Sequence, residues 1–255
     1  MTTGYPILEF DDSSEAILEP CKIYERLDTM PERCVLPIYH EVIEGLQEKN
    51  LVTRVTDIGT PMGAMPVYRM THAGEDVAVA EPGLGAPFAA AVLEELIALG
   101  CRKFIACGTA GVLDSDLRKG TIVVPNAAVR DEGTSYHYLP PSREIAAQPD
   151  TVRAIQSVLD ADGAEYRVGK TWTTDAVYRE TKNRIAKRKS EGCLTVEMEC
   201  AAFLAVAAFR GVRFGQLLGV TDDVSGDDWN YRGTEKGKSS PEQLFWLSVE
   251  SCLRL

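Results

Sequence analysis

The chain has 255 residues, 45% hydrophobic and 25% charged, with a formal net charge of −11. This length suits one large α/β domain over residues 1–255, with a core that needs no disulfide or metal staple. The negative sign argues against a nucleic-acid or anionic-membrane surface, which would need a basic face, but not against a small anionic substrate held by local donors. The seven cysteines form no CxxC pair and no Cys/His cluster at metal spacing, so reduced thiols in a cytoplasmic protein are expected, with no metal. The N-terminal stretch carries acids where a signal peptide would need a basic start. The longest apolar run, residues 201–209, is far below the ~20 residues of a membrane span.

Taken in order, residues 31–50 have Val35, Ile38, Tyr39, Val42, Ile43 and Leu46 at helical spacing behind Pro31, which predicts a helix. Residues 76–85 read as a strand ending in the Gly-rich turn "EPGLG", and residues 86–100 as a helix closed by Gly100. Residues 101–111, "CRKFIACGTAG", predict a strand ending in a second Gly-rich turn. Residues 120–131 predict a strand, 150–163 a helix, 166–174 a strand and 178–192 a polar, basic helix. "LTVEME" (194–199) is a strand that hands over to the apolar helix of residues 200–211. A last strand (212–223) and a closing helix (240–255) follow. Alternating strands and helices imply a three-layer αβα fold around a mostly parallel twisted sheet. In such sheets ligands bind beyond the carboxyl ends of the strands.

Four stretches fall at such ends. "PGLGAPF" is not a dinucleotide fingerprint, because Phe88 stands where the third small residue belongs; it is a tight turn or a cradle of backbone amides. "CGTAG" offers Gly108 for close backbone approach and the Thr109 hydroxyl as a donor to an oxyanion, or is simply a turn. Glu197 and Glu199, two apart on a strand, point to one side, with Met198 on the other; they make a solvated strand end or an acceptor for two adjacent sugar hydroxyls. The acids of "GVTDDVSGDD" cap a turn, or supply a general acid at Asp222.

"VEMECAAF", "GTAGVLDSDLRKGTIVVPNAAVRDEGTSYHY" and "EPGLGAPFAAAVLEELIALGCRKF" together resemble the nucleoside phosphorylase and nucleosidase superfamily, in its uridine and purine nucleoside phosphorylase branch. The resemblance implies a nucleoside substrate and no organic cofactor. It also implies a homodimer or a ring of dimers. It assigns Glu199 to the ribose 2′ and 3′ hydroxyls, packs Met198 on the sugar and lines the same site with Glu197. It puts the base among Asp222, Asp223, Val177 and Tyr178, with Asp222 as the acid of the purine branch. The uridine branch's base-reading residues map onto Thr181 and Asn183, which cannot copy them, so a purine or purine-like base is favoured. The nucleophile falls near Thr109, Gly108 and Gly85.

The departures concern phosphate. The resemblance calls for an arginine at position 106, which is Ala106, for an arginine in the N-terminal loop, where this chain has Glu9, Asp11 and Asp12, and for a third arginine lent by a neighbouring subunit, which finds no match near Gly63. Three lost charge-assisted contacts at ~1.5–3 kcal/mol each are a large deficit. Water is therefore favoured over inorganic phosphate as nucleophile, with an N-terminal acid activating it. Two alternatives stay open. One is phosphorolysis through a rebuilt anion site using Arg130, Arg179 or Lys182. The other is a nucleoside-binding protein without turnover.

Overall fold

Strand and helix alternate along the chain much as the hydrophobic pattern predicts, with one early exception. The computed structural model describes residues 4–231 and 239–255. Its elements are β1 (Arg33–Pro37), α1 (His40–Glu48), β2 (Thr53–Thr60), β3 (Gly63–His72), β4 (Glu75–Ala80), α2 (Ala86–Leu99), β5 (Lys103–Val112), β6 (Ile122–Asp131), β7 (Glu144–Ala146), α3 (Pro149–Asp162), β8 (Tyr166–Thr174), α4 (Lys182–Ser190), β9 (Cys193–Glu197), α5 (Cys200–Arg210), β10 (Arg213–Asp223), β11 (Asn230–Tyr231) and α6 (Pro241–Leu253). The exception is the helix expected over residues 31–50, which is instead strand β1 followed by α1. Cys34, Val35, Leu36 and Pro37 are all buried between β4 and β5, so β1 shows no period of its own. The "CGTAG" segment is likewise no turn: β5 runs straight through it to Val112.

The helices stop where their end residues dictate. Gly163 and Gly211 close α3 and α5 in the left-handed conformation that favours glycine. Pro87, Pro149 and Pro241 sit in the first turns of α2, α3 and α6, where no N–H is needed. The Ser240 side chain caps α6 by accepting the Gln243 N–H.

The sheet order is β11-β10-β6-β8-β9-β5-β1-β4-β3-β2, and β10 also pairs with β5. Strands β5, β10, β6, β8 and β9 therefore close into a ring, from which β1, β4, β3 and β2 extend as a wing. The sheet is mixed rather than mostly parallel. β1 runs parallel to β4 and β5, β5 to β10, and β8 to β6 and β9. The β2–β3–β4 meander and the β5–β9 and β10–β6 contacts are antiparallel. β10 shows why helices cover two faces. Phe214 stacks on Phe203 of α5, with ring centroids 4.8 Å apart. The next residue, Gly215, faces Thr151 and Ile155 of α3, and Gly219 faces Leu244 of α6. Alternate residues of one strand thus meet helices on opposite sides. α2 packs with α5, while α3, α1 and α6 pack together. The result is the three-layer αβα arrangement.

Gly215 leaves no room for a side chain. An added Cβ would lie 2.5 Å from Thr151 Cγ2 and 2.8 Å from Ile155 Cδ1. Both residues are fully buried, so neither can swing into solvent. Gly215→Ala should therefore cost ~1–3 kcal/mol through overpacking. Urea denaturation should show a lower midpoint at unchanged slope; a wild-type midpoint would contradict this account of β10.

Candidate active site

The ends of β9, β10 and β4 meet the start of α5. Strand β9 stops at Glu197, and the chain turns at Glu199 (φ −132°, ψ −31°) into α5. This break sends the two carboxylates different ways, not to one side of a strand. Glu197 turns under the helix start. Its Oε2 accepts the N–H groups of Glu199 (2.7 Å) and Cys200 (2.6 Å), and its Oε1 accepts the Thr173 hydroxyl (2.6 Å). Thr173 Oγ1 in turn accepts the Ala201 N–H at 3.0 Å. Glu197 thus satisfies amides that an α-helix start leaves without partners, and its charge suits the positive end of the helix dipole. Glu199 points away from that cap. Its Oε1 accepts the Gly85 N–H at 2.7 Å across the mouth of α2.

Both carboxylates are buried. Burial pushes the Glu197 carboxyl up from its ordinary range, and the neighbouring Glu199 charge pushes it further. Burial also raises Glu199, while the Gly85 N–H pulls it back. Met198, between them, is only half-buried.

The Gly-rich turn before α2 is specified by sterics. Gly83 and Gly85 have φ of +77° and +87°. A Cβ on Gly83 would stand 2.0 Å from Phe88 Cδ1, so the ring that excludes a dinucleotide fingerprint closes this turn instead. The result aims the Gly85 amide at Glu199. Thr109 is exposed on β5 beside Gly108, and an added Cβ on Gly108 would touch Ile38 in the loop after β1. At the start of α1, His40 Nδ1 lies 2.7 Å from Glu81 Oε1, and Glu81 raises the imidazole pKa.

At the end of β10, Asp222 Oδ1 accepts the Thr221 hydroxyl (3.0 Å) and Oδ2 accepts the Trp229 indole N–H (3.2 Å). Asp223 is engaged locally, its Oδ1 accepting the Ser225 N–H at 2.8 Å. Glu180, half-buried after the 3-10 turn Val177–Arg179, feels the Asp222 charge. Burial first, and Asp222 second, push its carboxyl up to about 7. Val177 and Tyr178 are exposed on that turn.

The other expected residues lie elsewhere. The Arg130 guanidinium is taken up in its own loop: it donates to Ser135 Oγ, the Leu139 and Pro140 carbonyls and Ser142 Oγ, over the ring of Tyr136. It acts as a tie for residues 132–143, not as an anion ligand. Lys182 Nζ pairs with Asp227 at 2.8 Å, and Arg179 is exposed. Asp11 bonds Ser13 and lines a groove with Glu94, Glu95, His137 and Arg210, beside the middle of α2 and the end of α5. Glu9 is exposed on the same N-terminal segment. The loop that touches Gly108 is the one after β1, not this one. All seven cysteines are unpaired, and no cluster among the described residues could hold a metal. Nor is any described helix long and apolar enough to cross a membrane.

The family model of the phosphorylase superfamily matches residues 41–241, which spans these strand ends. The chain belongs to the phosphorylase superfamily. Among its relatives in that superfamily, a guanosine phosphorylase of Halorubrum lacusprofundi is 31% identical over 180 residues, covering 70% of this chain and 71% of its own. A uridine phosphorylase of Escherichia coli is 28% identical over 202 residues, covering 74% and 79%. A purine nucleoside phosphorylase of Shewanella oneidensis is 29% identical over 175 residues, covering 68% and 72%.

Sequence inspection misses Glu180 because it falls in the helix expected over 178–192, which starts only at Lys182, and misses Trp229 because the stretch before it is read for its acids alone. Glu180 makes a checkable statement about pH. Its folded pKa of about 7 exceeds the ordinary value of 4.5, so the fold favours the neutral acid. Its contribution to stability is complete below about pH 4.5 and is lost as pH rises towards 7. Glu180→Gln mimics the neutral form at every pH. The melting temperature of Glu180→Gln relative to wild type should therefore climb between pH 5 and pH 8; a constant difference would show that Glu180 is an ordinary surface acid.

Proposed function

We propose that this chain is a purine nucleoside phosphorylase, which transfers the ribosyl group of a guanosine-like nucleoside to inorganic phosphate. The observation that carries the reading is Glu199, a buried carboxylate held by the Gly85 amide at the shared mouth of α2 and α5. An ionised carboxylate has about four lone-pair sites, so with one given to Gly85 it can still accept two adjacent ribose hydroxyls. Met198, half-buried beside it, suits the apolar face of the sugar.

In the proposed reaction the C1′–N9 bond lengthens, and positive charge builds on the ribosyl ring. Its electron pair passes to the purine, which Asp222 stabilises by a proton or hydrogen bond at N7. A phosphate oxygen then bonds to C1′, and the products are ribose 1-phosphate and the free base. Glu180 stands behind Asp222 as a second carboxyl that keeps its proton to about pH 7.

Phosphate is preferred to water for two reasons. Asp11, one of the acids expected to activate water, lines a groove with Glu94 and Arg210, and the side chain that crowds Gly108 is Ile38, which supports phosphate. The named relatives, whether they act on guanosine, uridine or purine nucleosides, are phosphorylases. The competing reading, hydrolysis, is favoured by Ala106, whose buried methyl stands where the resemblance expects an arginine. Guanine release from guanosine, measured with and without phosphate, separates the two. The expected outcome is a rate that saturates in phosphate, with ribose 1-phosphate as product; free ribose at a phosphate-independent rate would establish hydrolysis. Glu199→Gln keeps the shape but weakens the bonds to the diol. It should lower kcat/KM by about 10²-fold or more, from ~3 kcal/mol of lost transition-state binding, with a wild-type circular dichroism spectrum. Wild-type kinetics in that variant would remove the ribose assignment.

A further inference from the structure

Two large aromatic residues stand in the open next to Asp222. Trp229 is 66% exposed and Tyr231 62% exposed, although a buried position would recover far more free energy for either ring. Their geometry is ordered all the same. β11 folds back antiparallel on the end of β10, with Tyr231 opposite Asp222 and Asn230 opposite Asp223. Opposed residues of an antiparallel pair share a face, and so do residues two apart on one strand. Tyr231 thus shares a face with Asp222, and Trp229, just before β11, joins them through its ring contact with Tyr231 and its bond to Asp222. The two rings stack with centroids 5.8 Å apart and planes 24° from parallel. The indole N–H reaches Asp222 Oδ2 at 3.2 Å.

We propose that Trp229 is a specificity-determining residue of the leaving-base site: its indole N–H orients the Asp222 carboxylate, and its ring, backed by Tyr231, is the surface on which a purine lies. The proposal rests on the reading of the chain as a purine nucleoside phosphorylase and deepens it. Indole offers only one donor, and here Asp222 takes it. That bond fixes one carboxyl oxygen while the Thr221 hydroxyl fixes the other, so the plane of the group is set from both sides for the proton or hydrogen bond proposed at N7. The same bond holds the ring edge-on to Asp222. A flat, two-ring base lying on the indole would thereby present its edge to the carboxylate. Stacking accepts any π-face, and a purine covers more of an indole than a single pyrimidine ring does.

The two roles separate by substitution. In Trp229→Phe a ring remains but the N–H is lost. In Trp229→Ala both are lost. Trp229→Ala should raise KM for guanosine about tenfold or more and lower kcat, while Trp229→Phe should restore most of KM and leave kcat low. Both variants should melt like the wild type, since the side chain is exposed. A turnover-independent measurement accompanies them: guanine added to the wild type should quench tryptophan fluorescence, and the quench should vanish in Trp229→Phe, which retains the buried Trp172 and the half-buried Trp246. Wild-type KM and kcat in both variants, or a quench that survives in Trp229→Phe, would overturn the role of Trp229 and leave the proposed function standing. If the wild type releases no base from any nucleoside, the proposed function fails instead, and the guanine quench still decides whether Trp229 binds a purine.

Discussion

Everything at the candidate site hangs from the carboxylate of Glu197. It gathers the first amides of α5 and the hydroxyl of Thr173, and through Thr173 it reaches one amide further, at Ala201. Burying a charged acceptor is expensive unless its lone pairs are filled by donors, and here they are filled by the backbone it positions. The consequence is geometric. With the helix start held against β8, Glu199 has one direction left, across to Gly85. The direction of Glu199 is set by Glu197, a residue on the other side of the turn.

The strand ends on which this depends could be read from the chain itself wherever an element had a period and a stop. α2 runs from Pro87 to Gly100 and α3 from Pro149 to Gly163, and both helices end as their punctuation says. The reading fails where burial erases the period. Val35, Ile38 and Tyr39 mimic helical spacing, yet every residue of Cys34–Pro37 is buried, and a strand covered on both faces has no alternation to show. Gly108 and Gly111 read as a turn because glycine usually marks one. In the structure Ile38 crowds Gly108, and Val196 would lie 2.9 Å from a Cβ on Gly111, so close packing inside a strand accounts for both residues. The β2–β3 hairpin went unread altogether, although the β-branched Thr53, Val55, Thr56, Ile58 and Thr60 and the Pro61–Met62–Gly63 turn were visible signals.

Within the site, Glu199 and Asp222 are candidates from their strand-end positions and the resemblance assigns their roles and that of Met198, while the structure brings Glu199 together with Gly85. The role of Glu197 was not legible, because a strand period puts it beside Glu199, whereas the strand ends at Glu197 and the turn separates the two. Arg130 looked like a spare cation. Only the folded loop shows that four of its five donors are spent on Ser135, Leu139, Pro140 and Ser142. Charge counted along a chain says nothing about which charges are already answered at short range.

The ring of β5, β10, β6, β8 and β9 carries a further consequence, for the order in which the molecule comes into being. Its strands are drawn from residues 103 to 223. β1 already covers one edge of β5 over Lys103–Cys107, but the other edge must wait for β10 and the far end, Gly111–Val112, for β9, the last two strands of the ring to be made. Contacts between segments so far apart in sequence form slowly, since a long loop must be closed before they repay its entropy. During synthesis the Gly-rich wall before α2 emerges early, while Glu199 and Asp222 arrive with the closing strands. The candidate site and the completed ring are therefore born in the same step, and until then the nascent chain carries open strand edges.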